Sequence, residues 1–234
     1  MINRRMTRCG DYLSPDKYLT IDEVNRLRDS VRAEADQAKK NGSRRGIVNS
    51  MLIDLMLETG LRAEEVCCLT LSDMPTHHGK DSVLVRRGKG DIMRPVKIKK
   101  SMREKIAEYI QLCRPGAKPN SPLFVNEWGQ RLLRCRAGRK GKIEVHSERT
   151  ARLSYHELYM RIRRIGKRAG IEGLHPHKLR HTFGTFIYVT KKDLLNTQRQ
   201  MGHSRPEITA RYAHVLNDDE TNQAEALYSE PDTP

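Results

Sequence analysis

The chain has 234 residues, with 44 Lys/Arg against 29 Asp/Glu and a formal net charge of +15. That length can bury a real core, and that charge points to a polyanionic partner. No apolar run nears the roughly 18 residues of a membrane span, and MINRRMTRCG lacks the apolar centre of a signal peptide, so nucleic acid is expected and a membrane is not.

LTIDEVNRLRDSVRAEADQAKKNG opens with a capping box, Thr20 as N-cap and Glu23 three residues on. Ile21, Val24, Leu27 and Val31 fall on one face, so an amphipathic helix is expected, ending near Asn41-Gly42. IVNSMLIDLMLETG reads as a second, more apolar helix ended by Gly60, and RAEEVCCL as a short third one. SVLVRRGKGDIMRPVKI alternates around a Gly-Lys-Gly-Asp turn, as a β-hairpin does; Pro95 suggests that its second strand is an edge. SMREKIAEYIQLC is helical, and PLFVNEWGQRL reads as a short strand and turn. RCRAGRKGKIEVHSERTARL is basic and punctuated by glycine, an exposed loop or protruding hairpin. Ser154 and Glu157 form a second capping box for a helix running to about Ala169-Gly170. HPHKLRHTFGTFIYV, DLLNTQRQMG and RPEITARYAHV follow as three helices, the first with Pro176 near its N1 position. The fold class is therefore mainly α with a small antiparallel β-sheet, α+β, and no linker divides it.

The charge is uneven. Arg86 to Arg149 holds 18 Lys/Arg against 6 Asp/Glu, whereas Asp218 to Pro234 holds 6 acidic residues and no basic ones. The middle of the chain can neutralise phosphates; the tail either docks on protein or is solvated. The five cysteines show no CxxC spacing and read as reduced thiols of a cytoplasmic protein, with neither a disulfide frame nor a zinc site.

His175 to His181 packs three histidines, a lysine and an arginine into seven positions. His177 and His181 have the i, i+4 spacing of metal ligands, but Lys178 and Arg180 put positive charge where a metal site needs carboxylate. No metal and no cofactor is expected. Taken singly, Arg62 after Gly60, Glu65 beyond it, Lys89 at a hairpin tip, and Tyr212 nine residues after His203 each fit an ordinary surface or core role.

Taken together and in this order, these residues resemble the catalytic domain of the tyrosine recombinases, the phage-integrase family. The motifs are an arginine in TGLRAEE, a lysine in a hairpin turn, HKLRH, GH, and a tyrosine nine residues later. The resemblance covers roughly Tyr18 to Leu216. It implies a tyrosine-recombinase-like fold with residues 1–19 as an N-terminal arm, 20–216 as catalytic domain and 217–234 as an acidic tail. The catalytic residues it implies are Arg62, Lys89, His177, Arg180, His203 and Tyr212, with Glu65 supporting. Lys89 is preferred over Lys80, Lys97, Lys99 and Lys100 because a two-glycine turn lets a tip residue reach into a site.

Such chemistry cuts and rejoins DNA through a 3′-phosphotyrosine without metal or ATP. Forked arginines suit the non-bridging phosphate oxygens. A phenol titrating near pH 10 needs positive charge and a proton acceptor nearby; His177 is that acceptor, and Glu65 orients the cations or His177. The implied partner is duplex DNA carrying a specific recombination site, with self-association as a tetramer on it. The implied setting is the cytoplasm of a prokaryote, or a phage or mobile element. Arg86, Arg87, Arg94, Arg136, Arg139, Lys140 and Lys142 are expected to contact DNA. A type IB-like topoisomerase and a catalytically silent DNA-binding regulator are the alternatives on the same domain. Family members usually carry a separate N-terminal helical domain, whereas about 19 residues precede the first helix here. The chain thus reads as an excised catalytic domain or a short single-domain member.

Overall fold

The computed structural model describes residues 14–86, 93–126 and 151–202, together with Thr209. After a 3-10 turn at Pro15–Lys17, helix α1 spans Ile21–Lys40, α2 Arg45–Thr59, α3 Ala63–Cys68 and α4 Pro75–His78. Strands β1, Ser82–Arg86, and β2, Met93–Lys97, pair antiparallel in a register running from Ser82↔Lys97 to Arg86↔Met93. Helices α5, Lys100–Cys113, α6, Tyr155–Arg168, α7, Pro176–Lys191, and α8, Leu194–Met201, complete the described elements.

The cap chemistry does what it promised. The Thr20 hydroxyl accepts from Glu23 N at 3.2 Å while the Glu23 carboxylate accepts from Thr20 N at 2.9 Å, and Ser154 and Glu157 repeat the exchange at the start of α6. Two of the four N–H groups left over at each helix start are thereby satisfied. The expected apolar face of α1 is buried, and it lies on α2.

Helix α2 is the centre of the molecule. It packs on α1, α5 and α7, and residues from nearly its whole circumference are buried, among them Val48, Leu52, Ile53, Leu55 and Met56. That explains its apolar sequence without a single stripe. Its two carboxylates are both answered: Asp54 by Lys105 Nζ at 2.6 Å and Arg28 Nε at 3.8 Å, and Glu58 by Arg28 Nη2 at 2.9 Å. Cys67 and Cys113 are buried free thiols whose pKa values burial pushes up to about 12 and about 11. They are inert by position, as expected of structural cysteines.

Three local expectations change. Residues 71–78, which show no period, form a 3-10 turn at Leu71–Asp73 followed by the four-residue α4. The expected strand at 122–132 is reduced, in its described part, to two isolated bridges, Thr70↔Pro122 and Val125↔Arg152. The third helix begins at Ala63, with Arg62 outside it as the N-cap residue. The basic loop at 134–150, the hairpin tip at 87–92, and the last helix apart from Thr209 lie outside the described residues.

Candidate active site

The site is built where α2 ends. Gly60 closes that helix in the left-handed region, φ 59°, and its amide donates to Met56 O. Its missing side chain matters as much as its φ: a Cβ there would stand 2.1 Å from Phe183 Cδ1. Phe183 is a buried residue of α7, so the backbone of the α2 cap rests directly on α7. One turn earlier on α7, Arg180 donates through Nη1 to Gly60 O and through Nη2 to Met201 O at 2.8 Å. Arg180 is only 5% exposed, so these contacts fix a buried cation by backbone carbonyls.

Arg62 follows two residues after Gly60. Its backbone amide donates to Glu65 Oε2 at 2.8 Å, which turns the chain into α3. Its guanidinium donates to Glu65 Oε1 at 3.2 Å and to Gly202 O at 3.3 Å. Arg62, from the turn between α2 and α3, and Arg180, from α7, thus arrive at the adjacent carbonyls that end α8. The last carbonyls of a helix carry its partial negative charge, which favours cations there.

A third arginine joins them. Arg94 of β2 donates to both oxygens of Glu65, at 2.8 and 3.0 Å, and to Met201 O at 3.4 Å. Burial pushes the Glu65 carboxyl up, but the hydrogen bonds and charge of Arg94, and then those of Arg62, outweigh it and hold its pKa below the ordinary glutamate value. Among the described residues, two guanidiniums, Arg62 and Arg94, therefore clasp the Glu65 carboxylate, and a third, Arg180, shares the Met201 carbonyl with Arg94. The surplus of positive charge is what a phosphate would neutralise.

The three histidines of α7 separate into distinct positions. His175 is the N-cap, its Nδ1 accepting from Lys178 N at 3.2 Å. His177 is exposed, one turn before the buried Arg180. His181 is half-buried, its ring 6.5 Å from that of His177. Burial, then the neighbouring His177 and Arg180, lower its pKa to about 4, so it stays neutral. Among the described residues, no group of three or more His, Cys, Asp or Glu could hold a metal ion.

Of the other expected site residues, Lys89, His203 and Tyr212 lie outside the described residues, as do Arg87, Arg136, Arg139, Lys140 and Lys142. Gly202, immediately before His203, sits at the converged arginines and ends α8 with φ 64°. Arg86 pairs through Nε with the buried Asp73 at 2.8 Å and keeps its side chain half exposed.

A model of the phage integrase family matches residues 17–219. The chain belongs to the phage integrase family. Over 182 residues it is 29% identical to tyrosine recombinase XerC of Staphylococcus epidermidis, covering 77% of this chain and 54% of that one. With the XerC of Bacillus subtilis it shares 31% over 175 residues, covering 73% and 50%. This family member thus spans about half the length of these curated relatives. Among solved structures it is similar to XerA recombinase, with a TM-score of 0.63 and 26% identity over 92% of this chain and 65% of that one. It is similar also to XerH site-specific recombinase bound to its difH substrate before cleavage, with a TM-score of 0.62 and 25% identity over 87% and 51%. The mainly helical fold with its small antiparallel sheet is thus that of a tyrosine recombinase catalytic domain. No helix among the described residues is long and apolar enough to cross a membrane.

The sequence places Arg94 among the expected DNA contacts and not beside Glu65 in the integrase-family site, where the structure has it. A signal was available: Arg94 stands two positions before Val96, so the period-2 pleat puts both on one face, and Val96 is buried.

Proposed function

We propose that this chain is the catalytic domain of a site-specific DNA recombinase that cuts and rejoins strands through Tyr212. The observation that carries the reading is the convergence of Arg62 and Arg180 on the end of α8. Two permanently charged forks are thereby fixed before any substrate arrives, the preorganisation that phosphoryl chemistry requires. The Tyr212 oxygen attacks phosphorus and its proton passes to His177. The bond to the 5′-oxygen breaks, and Lys89 gives that oxygen a proton. Arg62, Arg180 and His203 face the charge on the non-bridging oxygens. A 3′-phosphotyrosine and a 5′-hydroxyl result, and attack by a second hydroxyl reverses the step with the bond energy conserved. Residues 1–19 serve as an arm, 20–216 as the catalytic unit and 217–234 as an acidic tail. Several protomers assemble on the DNA, and Arg86, Arg87, Arg136, Arg139, Lys140 and Lys142 neutralise its phosphates.

The test is covalent trapping on a library of nicked genomic fragments, read as a slow-migrating adduct on a denaturing gel and by sequencing the trapped ends. Wild type should form the adduct, in excess EDTA as well as without it, since guanidiniums perform the charge neutralisation. Tyr212→Phe should bind DNA and form none. An adduct that survives in Tyr212→Phe, or one abolished by EDTA and restored by magnesium, would refute the assignment.

A further inference from the structure

Arg94 stands where three separately folded parts of the site meet. It belongs to the hairpin, five residues after Lys89. Its two terminal nitrogens clasp the carboxylate of Glu65 at the start of α3, and one of them also reaches Met201 O at the end of α8. The rest of the guanidinium lies against Gly202: a Cβ there would be 2.6 Å from Arg94 Nε and 2.7 Å from Cζ. Arg94 Nε is buried and makes no hydrogen bond. The side chain is 15% exposed.

We infer that Arg94 is a positioning residue for the phosphate site and not a DNA contact, an inference that rests on the recombinase reading above. To touch a phosphate it would have to give up both its bonds to Glu65, leaving that largely buried carboxylate with the donors of Arg62 alone. Held as it is, Arg94 fixes the oxygen, Oε1, that it shares with Arg62, and so sets where the Arg62 fork points. By lying on Gly202 it also braces the residue that ends α8. Lysine cannot replace it, because an ammonium offers one point of charge, not a planar fork that spans a carboxylate and stacks on a glycine.

The experiment compares wild type, Arg94→Lys and Gly202→Ala on the nicked duplex that traps wild type. Single-turnover cleavage at saturating protein, DNA affinity across a salt series, and a thermal melt are read for each. Arg94→Lys keeps the charge and should keep DNA affinity within about twofold and an unchanged salt slope, while cleavage falls by roughly 10²-fold, the scale of a misplacement near 1 Å. Gly202→Ala keeps the arginine but displaces its plane, and should lose cleavage in the same way, so the inference does not depend on one variant folding. Arg94→Lys cleaving within about threefold of wild type would reduce the residue to a point charge. A salt slope lower by about 0.9 in Arg94→Ala, the charge-removing variant run in the same salt series, would make it a phosphate contact. Either result overturns the inference. A wild type that forms no adduct would instead sink the recombinase reading, and the salt slopes would still decide whether Arg94 faces the DNA.

Discussion

Replacing Gly60 by alanine tests how tightly the site is tied to the core. Two costs add. An L-residue held in the left-handed region costs roughly 1–2 kcal/mol, and φ at Gly60 is 59°. The new Cβ would also fall 2.1 Å from Phe183 Cδ1, and Phe183 is 3% exposed with no open space to enter. Forcing a methyl group into such packing typically costs a further 1–3 kcal/mol. Gly42 supplies the control, with φ 65° and nothing within 4 Å of an added Cβ; Gly42→Ala carries the backbone cost alone. In a chain of this size 1 kcal/mol moves the melting temperature by about 2–4 °C. Gly60→Ala should therefore melt about 2–12 °C below Gly42→Ala. It should also cleave DNA more slowly, because the Gly60 carbonyl that receives Arg180 moves with the cap. Circular-dichroism melts of both variants give the comparison. If the two alanines lower the midpoint equally, the ring of Phe183 yields freely and the cap is not braced on α7.

Two further outcomes are expected. The pKa of His181 is about 4 when folded against an ordinary 6.5, so between those values the unfolded chain binds more protons; the stabilisation is complete above pH 6.5 and is lost as pH falls toward 4, at a cost of roughly 2–3 kcal/mol for a half-buried ring. His181→Gln should flatten that part of the stability–pH profile, and superimposable profiles would show that the ring titrates as in water. Lys89→Ala should be slow on ordinary DNA, since a delivered proton is typically worth roughly 10²–10⁴ in rate, and near wild type when sulfur replaces the bridging 5′-oxygen. Arg180→Ala should stay slow on both, and equal impairment of Lys89→Ala on both substrates would remove Lys89 from the acid role.

What could be read in the sequence was local. Thr20–Glu23 and Ser154–Glu157 announce their helices because both halves of each box lie within one turn, and Gly60 announces the end of α2 for the same reason. Pro122 and Val125 look like a strand in sequence but form isolated bridges, because their partners, Thr70 and Arg152, come from distant parts of the chain. Residues 71–78 carry no legible signal because elements of three and four residues are too short to show a period. The order of motifs marked Arg62, Glu65 and Arg180 as belonging together. It could not show that backbone carbonyls of Met201 and Gly202 receive two of them, since a carbonyl has no letter in a sequence. Arg94 stayed hidden for a related reason: a carboxylate 29 positions away is invisible to any local pattern.

The carbonyls at the end of α8 also order events in time. Arg62 reaches across 140 residues to Gly202, Arg94 across 107 to Met201, and Arg180 across 120 back to Gly60. Loops of that length close late, after local helices have formed. A chain still leaving the ribosome carries Arg62 and its glutamate long before Arg180 or α8 exists. Such a chain carries positive charge without the carbonyls that gather its arginines into one site. On the recombinase reading proposed above, the arginines of the site come together only after synthesis has passed Gly202.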